Sequence, residues 1–265
     1  MKRWGLGRGC RGWCSRLRSA GSLGGEEGLV KRPKVPLIWH ITAGAVRFPF
    51  YAVARRIYQG AVHFPPVGTG YIVAVNHITN LDWLPVAESL YLRGTPPTVL
   101  AKASLFRIPV IGAILSRLGL IPVERGTDRA ADALAAAKEV LEAGRVVIFF
   151  PEGTLTADPD LWPMTPRAGV GRLAISTGVP VIPMAIWGTQ EILPPSTGRP
   201  RLFGRRKPVY LRVGPQVDLA DLVGRSDDPT AGREATNRIM TRVAALVGEL
   251  RGETPPPTFF PRPEN

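Results

Sequence analysis

The chain has 265 residues, 45% of them apolar, so it can bury the core of one sizeable folded domain. Its 34 Lys and Arg exceed its 21 Asp and Glu by 13, which indicates an anionic partner: nucleic acid, a membrane surface or a phosphorylated substrate. The composition excludes a wholly disordered or collagen-like chain, and two cysteines and three histidines predict neither a disulfide scaffold nor a metal site.

Residues 1–34 are the most basic part of the chain, with nine Lys and Arg against two Glu. No apolar run follows the first basic residues, so the segment does not read as a secretory signal. Its Gly/Ser-rich composition predicts a disordered basic tail. Attachment of this tail to anionic lipid is the alternative, and Cys10 and Cys14 within it lack a second ligand pair at zinc spacing.

Residues 35–64 form a separate apolar and aromatic segment. Arg47, Arg55 and Arg56 interrupt it, so it lacks the roughly 20 consecutive apolar residues that span a bilayer. The mixture predicts a helix or helical hairpin lying in the membrane interface, with a break or kink at Pro49. An ordinary amphipathic helix packed on the core is the equal alternative.

Strands and helices alternate over residues 65–251, which predicts one α/β domain with a mixed, mostly parallel sheet flanked by helices. Residues 252–265 are Pro-rich and are predicted to be frayed. The predicted strands are Tyr71–Val75, Thr98–Ala101, Leu120–Val123, Val146–Phe150, Val181–Ala185 and Val209–Val213. The predicted helices are Leu81–Leu92, Ile108–Leu118, Asp128–Ala143, Gly169–Thr177 and Thr230–Leu250.

The first chemical motif, Asn-His-Ile-Thr-Asn-Leu-Asp over 76–82, follows a predicted strand directly. His77 on the turn and Asp82 in the first helical turn would let the carboxylate hold one imidazole nitrogen and leave the other free as a base. No Ser or Cys nucleophile stands beside them, so the pair would activate a substrate hydroxyl directly. A chance His beside a helix-capping Asp is the alternative for this motif alone.

The second motif, Phe-Pro-Glu-Gly-Thr over 150–154, follows another predicted buried strand. A carboxylate, a glycine and a hydroxyl at the carboxyl end of a strand suit a polar ligand that approaches the backbone closely. A simple turn with a solvated Glu152 is the alternative when the motif is taken alone.

Four blocks in order make the chain resemble the glycerolipid acyltransferases, the 1-acyl-glycerol-3-phosphate acyltransferase family. They are the NHxxxxD block at 76–82, Gly-Leu-Ile-Pro-Val-Glu-Arg-Gly at 119–126, FPEGT at 150–154 and VPVIP at 179–183. The resemblance covers roughly residues 70–215. It implies that residues 65–251 are a catalytic domain and that the function is 1-acylglycerol-3-phosphate O-acyltransferase activity in phospholipid biosynthesis.

The resemblance also implies roles for individual residues. His77 would be the general base, with Asp82 orienting its imidazole and stabilising the imidazolium. Arg125 would pair with the acceptor phosphate through its forked donors. The remaining substrate-binding candidates are Glu152, Gly153, Thr154, Lys102 and Arg167.

Two departures from the family pattern bear on the acceptor. Leu155 follows the FPEGT threonine where the family often has Arg, and Arg167 lies where the family has a basic residue and is the candidate to replace it. Pro122 occupies a position at which an aliphatic residue is frequent in the family. Leu155 therefore leaves the acceptor open between lysophosphatidic acid and another lysolipid or lipid acceptor, such as an acylated sugar or an ornithine lipid.

The resemblance implies an acyl-CoA or acyl carrier protein donor, a lysophospholipid acceptor, no cofactor and no metal. It also implies peripheral or monotopic attachment to the cytoplasmic face of the cell membrane. The basic cluster Arg199, Arg201, Arg205, Arg206 and Lys207 reads as a solvated loop, as a contact to lipid or donor phosphate, or as a nucleic-acid patch. The last is disfavoured because only Phe203 offers a base a stacking surface, and a non-catalytic basic protein has no use for the His77–Asp82 pair.

Overall fold

The computed structural model describes residues 37–123 and 130–263, so the predicted basic tail, 1–34, lies outside the described residues. The strands are β1 (Ala54–Gln59), β2 (Tyr71–Val75), β3 (Pro97–Lys102), β4 (Ile121–Val123), β5 (Val146–Phe149), β6 (Val181–Trp187) and β7 (Lys207–Val213). The helices are α1 (Leu37–Val53), α2 (Trp83–Leu92), α3 (Ala103–Phe106), α4 (Ile111–Arg117), α5 (Ala130–Glu142), α6 (Gly169–Thr177) and α7 (Pro229–Arg251). Short 3-10 turns span Ala61–His63 and Thr189–Glu191.

The seven strands form one sheet in the order β1-β7-β6-β2-β5-β3-β4. Every neighbouring pair is parallel except β6 and β7, which confirms the predicted mixed, mostly parallel sheet. The strands β2 to β6 therefore end at one edge of the sheet, and β1 and β7 begin there. We call this edge the carboxyl edge, because loops that follow parallel strands carry the ligand sites of such sheets.

The core lies on both faces of the sheet because successive side chains of a strand point to opposite sides. On one face Tyr71, Val73 and Val75 pack with residues of α1 and α2. On the other face Ile72 and Ala74 pack with residues of α5, α6 and α7. All five β2 side chains are buried, as expected of a central parallel strand whose sequence is a continuous apolar run.

Most predicted elements are confirmed, and α6 and β2 have the predicted bounds. The prediction of helix over 35–64 was wrong for residues 54–59, which form the edge strand β1, although the helix α1 continues through Pro49 to Val53. The predicted helix Ile108–Leu118 is shorter, because Val110 has a φ of 66° and α4 begins only after it. Within residues 37–123 and 130–263, no helix is both long enough and apolar enough to cross a bilayer.

The prediction that residues 252–265 are frayed was wrong for those that the structure describes. Phe260 forms a β-bridge with Met164, and its carbonyl accepts a hydrogen bond from the Thr165 amide at 2.9 Å. Arg262 donates to the Thr165 carbonyl at 2.8 Å. The C-terminal segment therefore packs along the loop that contains residues 162–165.

A buried carboxylate ties α1 to the domain. Glu88 on α2 is 3% exposed, and its Oε1 accepts hydrogen bonds from Arg47 of α1 at 2.8 Å and from Arg56 of β1 at 2.6 Å. Its Oε2 accepts from the Tyr58 hydroxyl at 2.7 Å. The Arg56 guanidinium also lies 3.2 Å above the Tyr51 ring, so charge and aromatic contacts together hold α1 against α2 and β1.

Candidate active site

His77 and Asp82 lie together at the carboxyl edge, just beyond the end of β2. The imidazole Nδ1 is 3.0 Å from the Asp82 Oδ2. Because a carboxylate only accepts, Nδ1 is the donor, and in the neutral imidazole Nε2 then has a free lone pair. Nε2 makes no hydrogen bond to any described residue, and the His77 side chain keeps 13% of its surface exposed. The Phe150 ring packs on the imidazole at a centroid distance of 4.2 Å, which restricts its rotation.

The turn between β2 and α2 holds Asp82 in place. Besides the imidazole, Oδ2 accepts the amides of Ile78 at 2.5 Å and Thr79 at 2.8 Å. Oδ1 accepts the hydroxyls of Thr79 at 3.0 Å and Thr189 at 2.6 Å. The carboxylate is wholly buried, and a buried charge is tolerated only when it is paired and hydrogen-bonded in this way. Asp82 also stands at the N-terminus of α2, where the helix dipole attracts negative charge.

Sequence reasoning missed Thr189. It lies directly after β6, in the turn that begins with Gly188, and is wholly buried. Its position could have indicated a role, because Thr189 is a polar residue that follows a third apolar strand, at the edge where β2 and β5 also end. Its distance of 107 residues from Asp82 along the chain hides the contact until the sheet order is known.

Glu152 lies beneath the turn that follows β5, and its carboxylate is wholly buried. Oε1 accepts the His77 amide at 2.8 Å, and Oε2 accepts the Met164 amide at 3.0 Å. Burial raises the pKa of Glu152 to about 8, although both backbone hydrogen bonds oppose the shift. The Glu152 side chain thus faces the backbone of the base, and it exposes no surface for the direct acceptor contact that the sequence predicted.

Asn76 fixes the strand end that carries His77. Its side-chain amide donates to the Ile186 carbonyl at 3.1 Å, and its side-chain oxygen accepts the Ile186 amide at 2.9 Å. These two bonds extend the pairing of β2 with β6 beyond Val75, where the backbone turns away. The Thr156 amide donates to the His77 carbonyl at 2.7 Å, so the base is held on one flank by the strand β6 and on the other by the loop after β5.

The structure brings two further candidates together at the turn after β5. Gly153 has a φ of 76°, and a Cβ at this position would meet the Arg167 Nε at 2.9 Å. Glycine is therefore favoured by the backbone conformation, and its lack of a Cβ lets the Arg167 side chain approach the turn closely. Arg167 is exposed, and its amide donates to the Pro151 carbonyl at 2.8 Å. Thr154 is also exposed on this turn, while Leu155 is half-buried.

The remaining candidates lie farther along the same edge. Lys102 is exposed at the end of β3, two strands from β2 and so roughly 10 Å away across the sheet. Arg125 lies in the segment 124–129, outside the described residues. Among residues 37–123 and 130–263, no group of three or more His, Cys, Asp or Glu side chains is arranged to hold a metal ion.

The arrangement suits proton abstraction from a neutral hydroxyl. A protonated Nδ1 held by a buried carboxylate leaves Nε2 free to accept a proton, and the same carboxylate stabilises the imidazolium that forms. Two cationic side chains and one hydroxyl are exposed at the same edge of the sheet: Arg167, Lys102 and Thr154. The site can therefore place an anionic substrate beside a general base.

Comparisons with known proteins agree with this chemistry. The family model described as Acyltransferase matches residues 55–187. The chloroplastic 1-acyl-sn-glycerol-3-phosphate acyltransferase BAT2 of Brassica napus is 33% identical over 180 residues, 65% of this chain and 48% of that protein. The 1-acyl-sn-glycerol-3-phosphate acyltransferase of Borreliella burgdorferi is 31% identical over 158 residues, 59% of this chain and 60% of that protein. The chain spans about half the length of the curated relatives it matches.

A solved structure shows the same fold. The crystal structure of the 1-acyl-sn-glycerophosphate acyltransferase PlsC from Thermotoga maritima superposes with a TM-score of 0.59 at 24% sequence identity. The match covers 92% of this chain and 90% of that one. The similarity therefore includes the sheet and the helices on both of its faces.

Proposed function

The chain belongs to the acyltransferase family, and we propose that it moves a fatty acyl group from an acyl thioester to the free hydroxyl of lysophosphatidic acid, giving phosphatidic acid. The observation that carries this proposal is the His77 imidazole, held by Asp82 at Nδ1 and free at Nε2. The named relatives, which are 1-acyl-sn-glycerol-3-phosphate acyltransferases, support the choice of acceptor.

The proposed reaction has a single transfer step. The His77 Nε2 accepts the proton of the acceptor hydroxyl while the oxygen attacks the thioester carbonyl, and Asp82 stabilises the imidazolium. The tetrahedral intermediate collapses with loss of the thiolate, which takes the proton back from Nε2. The products are the ester and the free thiol of coenzyme A or acyl carrier protein, and no covalent acyl-enzyme forms.

The proposed acceptor contacts lie on the loops around the base. Arg167, placed against Gly153, and Lys102, at the end of β3, are the described cations proposed to receive the phosphate, and Arg125 is proposed with them. Thr154 is proposed to donate its exposed hydroxyl to the acceptor. Glu152 is proposed as a positioning residue, since both of its oxygens bind backbone amides.

Replacement of the base tests the proposal. We expect His77→Ala to lower the rate of acyl transfer to lysophosphatidic acid by a factor of about 10² to 10⁴, the contribution of a general base. His63→Ala is the matched control. His63 is exposed just after the end of β1, which lies at the edge of the sheet opposite His77, so this variant should keep the wild-type rate. Wild-type activity in His77→Ala would contradict the mechanism.

Leu155 is the reason to test a second class of lipid acceptor for the same reaction. The family resemblance leads us to expect Arg after the FPEGT threonine, and the half-buried Leu155 takes its place. Transfer rates to lysophosphatidic acid and to uncharged or zwitterionic lysolipids, measured on one preparation, decide between the acceptors. Faster transfer to a lysolipid without a free phosphate monoester would reject lysophosphatidic acid as the main acceptor.

A further inference from the structure

A basic loop leads into the first residue of β7 and plays no part in the proposed reaction. We call residues 199–207 the basic loop; it contains Arg199, Arg201, Arg205, Arg206 and Lys207 and no acidic residue. The nearest acidic residues along the chain are Glu191 and Asp218. No acidic side chain of the described residues forms an ion pair with any of the five cations. Five uncompensated charges within nine residues create a strong local attraction for anions.

The base of the basic loop is fixed to the domain. The Arg201 amide donates to the Ile192 carbonyl at 2.7 Å, and the Lys207 ammonium donates to the carbonyls of Arg201 at 2.8 Å and Phe203 at 2.7 Å. The Arg206 guanidinium donates to the Ala54 carbonyl at 3.1 Å, where α1 meets β1. The loop is therefore held at its two ends, and its tip projects from the domain.

The tip of the basic loop is apolar. Phe203 is 94% exposed and Leu202 is 51% exposed. Next to them, a Cβ on Gly204 would meet no other atom within 4 Å, so nothing in the described chain covers the tip. A fully exposed aromatic ring between cations is costly in water, and it suits a surface that offers both an apolar interior and anionic headgroups.

The basic loop lies at the carboxyl edge, on the same side of the sheet as His77. It leads into β7 at Lys207, which pairs with Ala54 at the start of β1, while β2 ends at this edge just before His77. Most of the other exposed large apolar side chains follow strand ends at this edge or lie on α1 shortly before β1 begins there: Phe48, Trp83, Leu105, Ile108 and Val110. The carboxyl edge therefore combines the catalytic pair with an apolar and basic surface.

We propose that the basic loop docks the carboxyl edge on an anionic lipid surface, with Phe203 and Leu202 inserted between headgroups and the arginines on lipid phosphates. The inference builds on the proposed function in that the acceptor is taken from the same surface. Docking at this edge turns the His77 imidazole toward the lipid, so an acceptor reaches the base without leaving the interface. A nucleic acid fits the loop less well, because Phe203 is its only aromatic side chain and single strands are held by stacking on several.

Vesicle binding by the full-length protein tests the inference. The probes are vesicles of phosphatidylcholine with phosphatidylglycerol, and vesicles of phosphatidylcholine alone. Arg205→Glu should weaken binding to the anionic vesicles by at least about fivefold, the effect of one basic residue near such a surface. Phe203→Ser should weaken it roughly tenfold, because the ring no longer enters the apolar layer.

Two matched controls separate the loop from general changes in charge or hydrophobicity. Arg117→Glu makes the same change in net charge where α4 ends, just before β4 begins at the edge opposite the carboxyl edge, and Val223→Ser removes an exposed apolar side chain that lies beside Gly178, before β6 begins. Both controls should bind anionic vesicles as the wild type does. Equal binding by the loop variants and their controls, or a wild type that binds no anionic vesicle, would overturn the inference.

Activity measurements distinguish this inference from the proposed function. Arg205→Glu and Phe203→Ser should transfer acyl groups to a short-chain, monomeric lysophosphatidic acid at the wild-type rate and lose rate only when the acceptor is presented in vesicles. A protein that binds vesicles through the basic loop but acylates neither form would overturn the proposed function and support the docking surface. Binding of a single-stranded oligonucleotide that is lost in Arg205→Glu, with vesicle binding unchanged, would overturn the docking surface.

Discussion

At the scale of single residues, Asp82 determines what the imidazole can do. Its Oδ2 contacts His77 while its Oδ1 accepts hydroxyls from two turns of the chain. Removal of one hydroxyl donor leaves the carboxylate paired but less restrained. With fewer donors the carboxylate accepts the Nδ1 proton more strongly, which shifts the pH dependence of the reaction, but it also orients the imidazole less firmly, which slows the transfer.

We expect Thr189→Val to lower the transfer rate while the protein stays folded, because the isosteric valine fills the space and leaves Asp82 Oδ1 without its 2.6 Å hydrogen bond. The loss of one hydrogen bond to a buried charge lowers the free energy of unfolding by about 1.5–3 kcal/mol. The pH profile of the transfer rate should shift as well, which a general loss of packing would not produce. Thr177→Val, whose hydroxyl bonds only carbonyls within α6, is the control. An unchanged rate and profile in Thr189→Val would reject this role.

The buried Glu152 makes stability depend on pH. Burial raises its pKa to about 8 from an ordinary value near 4.5, so between these values the folded protein keeps a proton that the unfolded chain releases. The free energy of unfolding must therefore fall as the pH rises through this range, by on the order of 1 kcal/mol per pH unit.

Glu152→Gln removes this titration and places an amide N–H against one of the two backbone donors. We expect the variant to be less stable than the wild type at pH 5, with a difference that shrinks toward pH 8, as measured by urea unfolding. Glu139→Gln, an exposed change on α5, should leave the pH dependence as it is. Parallel stability curves for the wild type and Glu152→Gln would show that Glu152 does not carry the effect.

At the scale of elements, apolar runs and the residues that end them predicted most of the fold. The continuous apolar run of β2 and the Ala-rich helix that ends before Gly144 are set by local sequence. The strand β1 was missed because Arg55 and Arg56 follow an apolar helix, and an edge strand needs no apolar run. Its pairing with β7 and the contact of Arg56 with Glu88 stabilise it, and neither is visible locally.

The contact of Glu88 with α1 and β1 leads to a prediction about α1. Glu88→Ala leaves two half-buried guanidiniums without their carboxylate, and breaking such a pair costs up to about 3–5 kcal/mol when both partners are buried. We expect a large loss of stability and faster amide hydrogen exchange in α1. Glu142→Ala, which removes an exposed partner of Lys138 at 3.8 Å, should cost little. Unchanged exchange in α1 would show that the apolar contacts alone hold the helix.

At the scale of the whole molecule, the site depends on the order of strands that are distant in sequence. The motifs at His77 and Glu152 could be recognised from the chain because each follows an apolar strand. The sheet order then brings together the loops after β2, β5 and β6, which places Thr189 on Asp82 and Glu152 on the His77 amide. No local pattern encodes these contacts, because they exist only when β6 and β5 flank β2.

The C-terminal segment also supports the site, through contacts between residues that are distant in sequence. Phe260 and Arg262 bind Thr165, and the adjacent Met164 amide is one of the two donors to Glu152, whose other oxygen holds the backbone of the base. Truncation after Pro257 should therefore weaken a support of the site from a position remote in sequence. Three hydrogen bonds to Thr165 are lost, each worth about 0.5–1.5 kcal/mol.

We expect this truncation to lower the unfolding temperature and to reduce the transfer rate by more than the loss of folded protein explains, because the 162–165 loop no longer holds Glu152 against His77. Truncation after Arg262 is the matched control, since it keeps both residues that contact Thr165. Circular dichroism melts and transfer rates normalised to the folded fraction make the comparison. A protein truncated after Pro257 that retains the normalised rate of its control would show that α7 and the strand ends alone position the base.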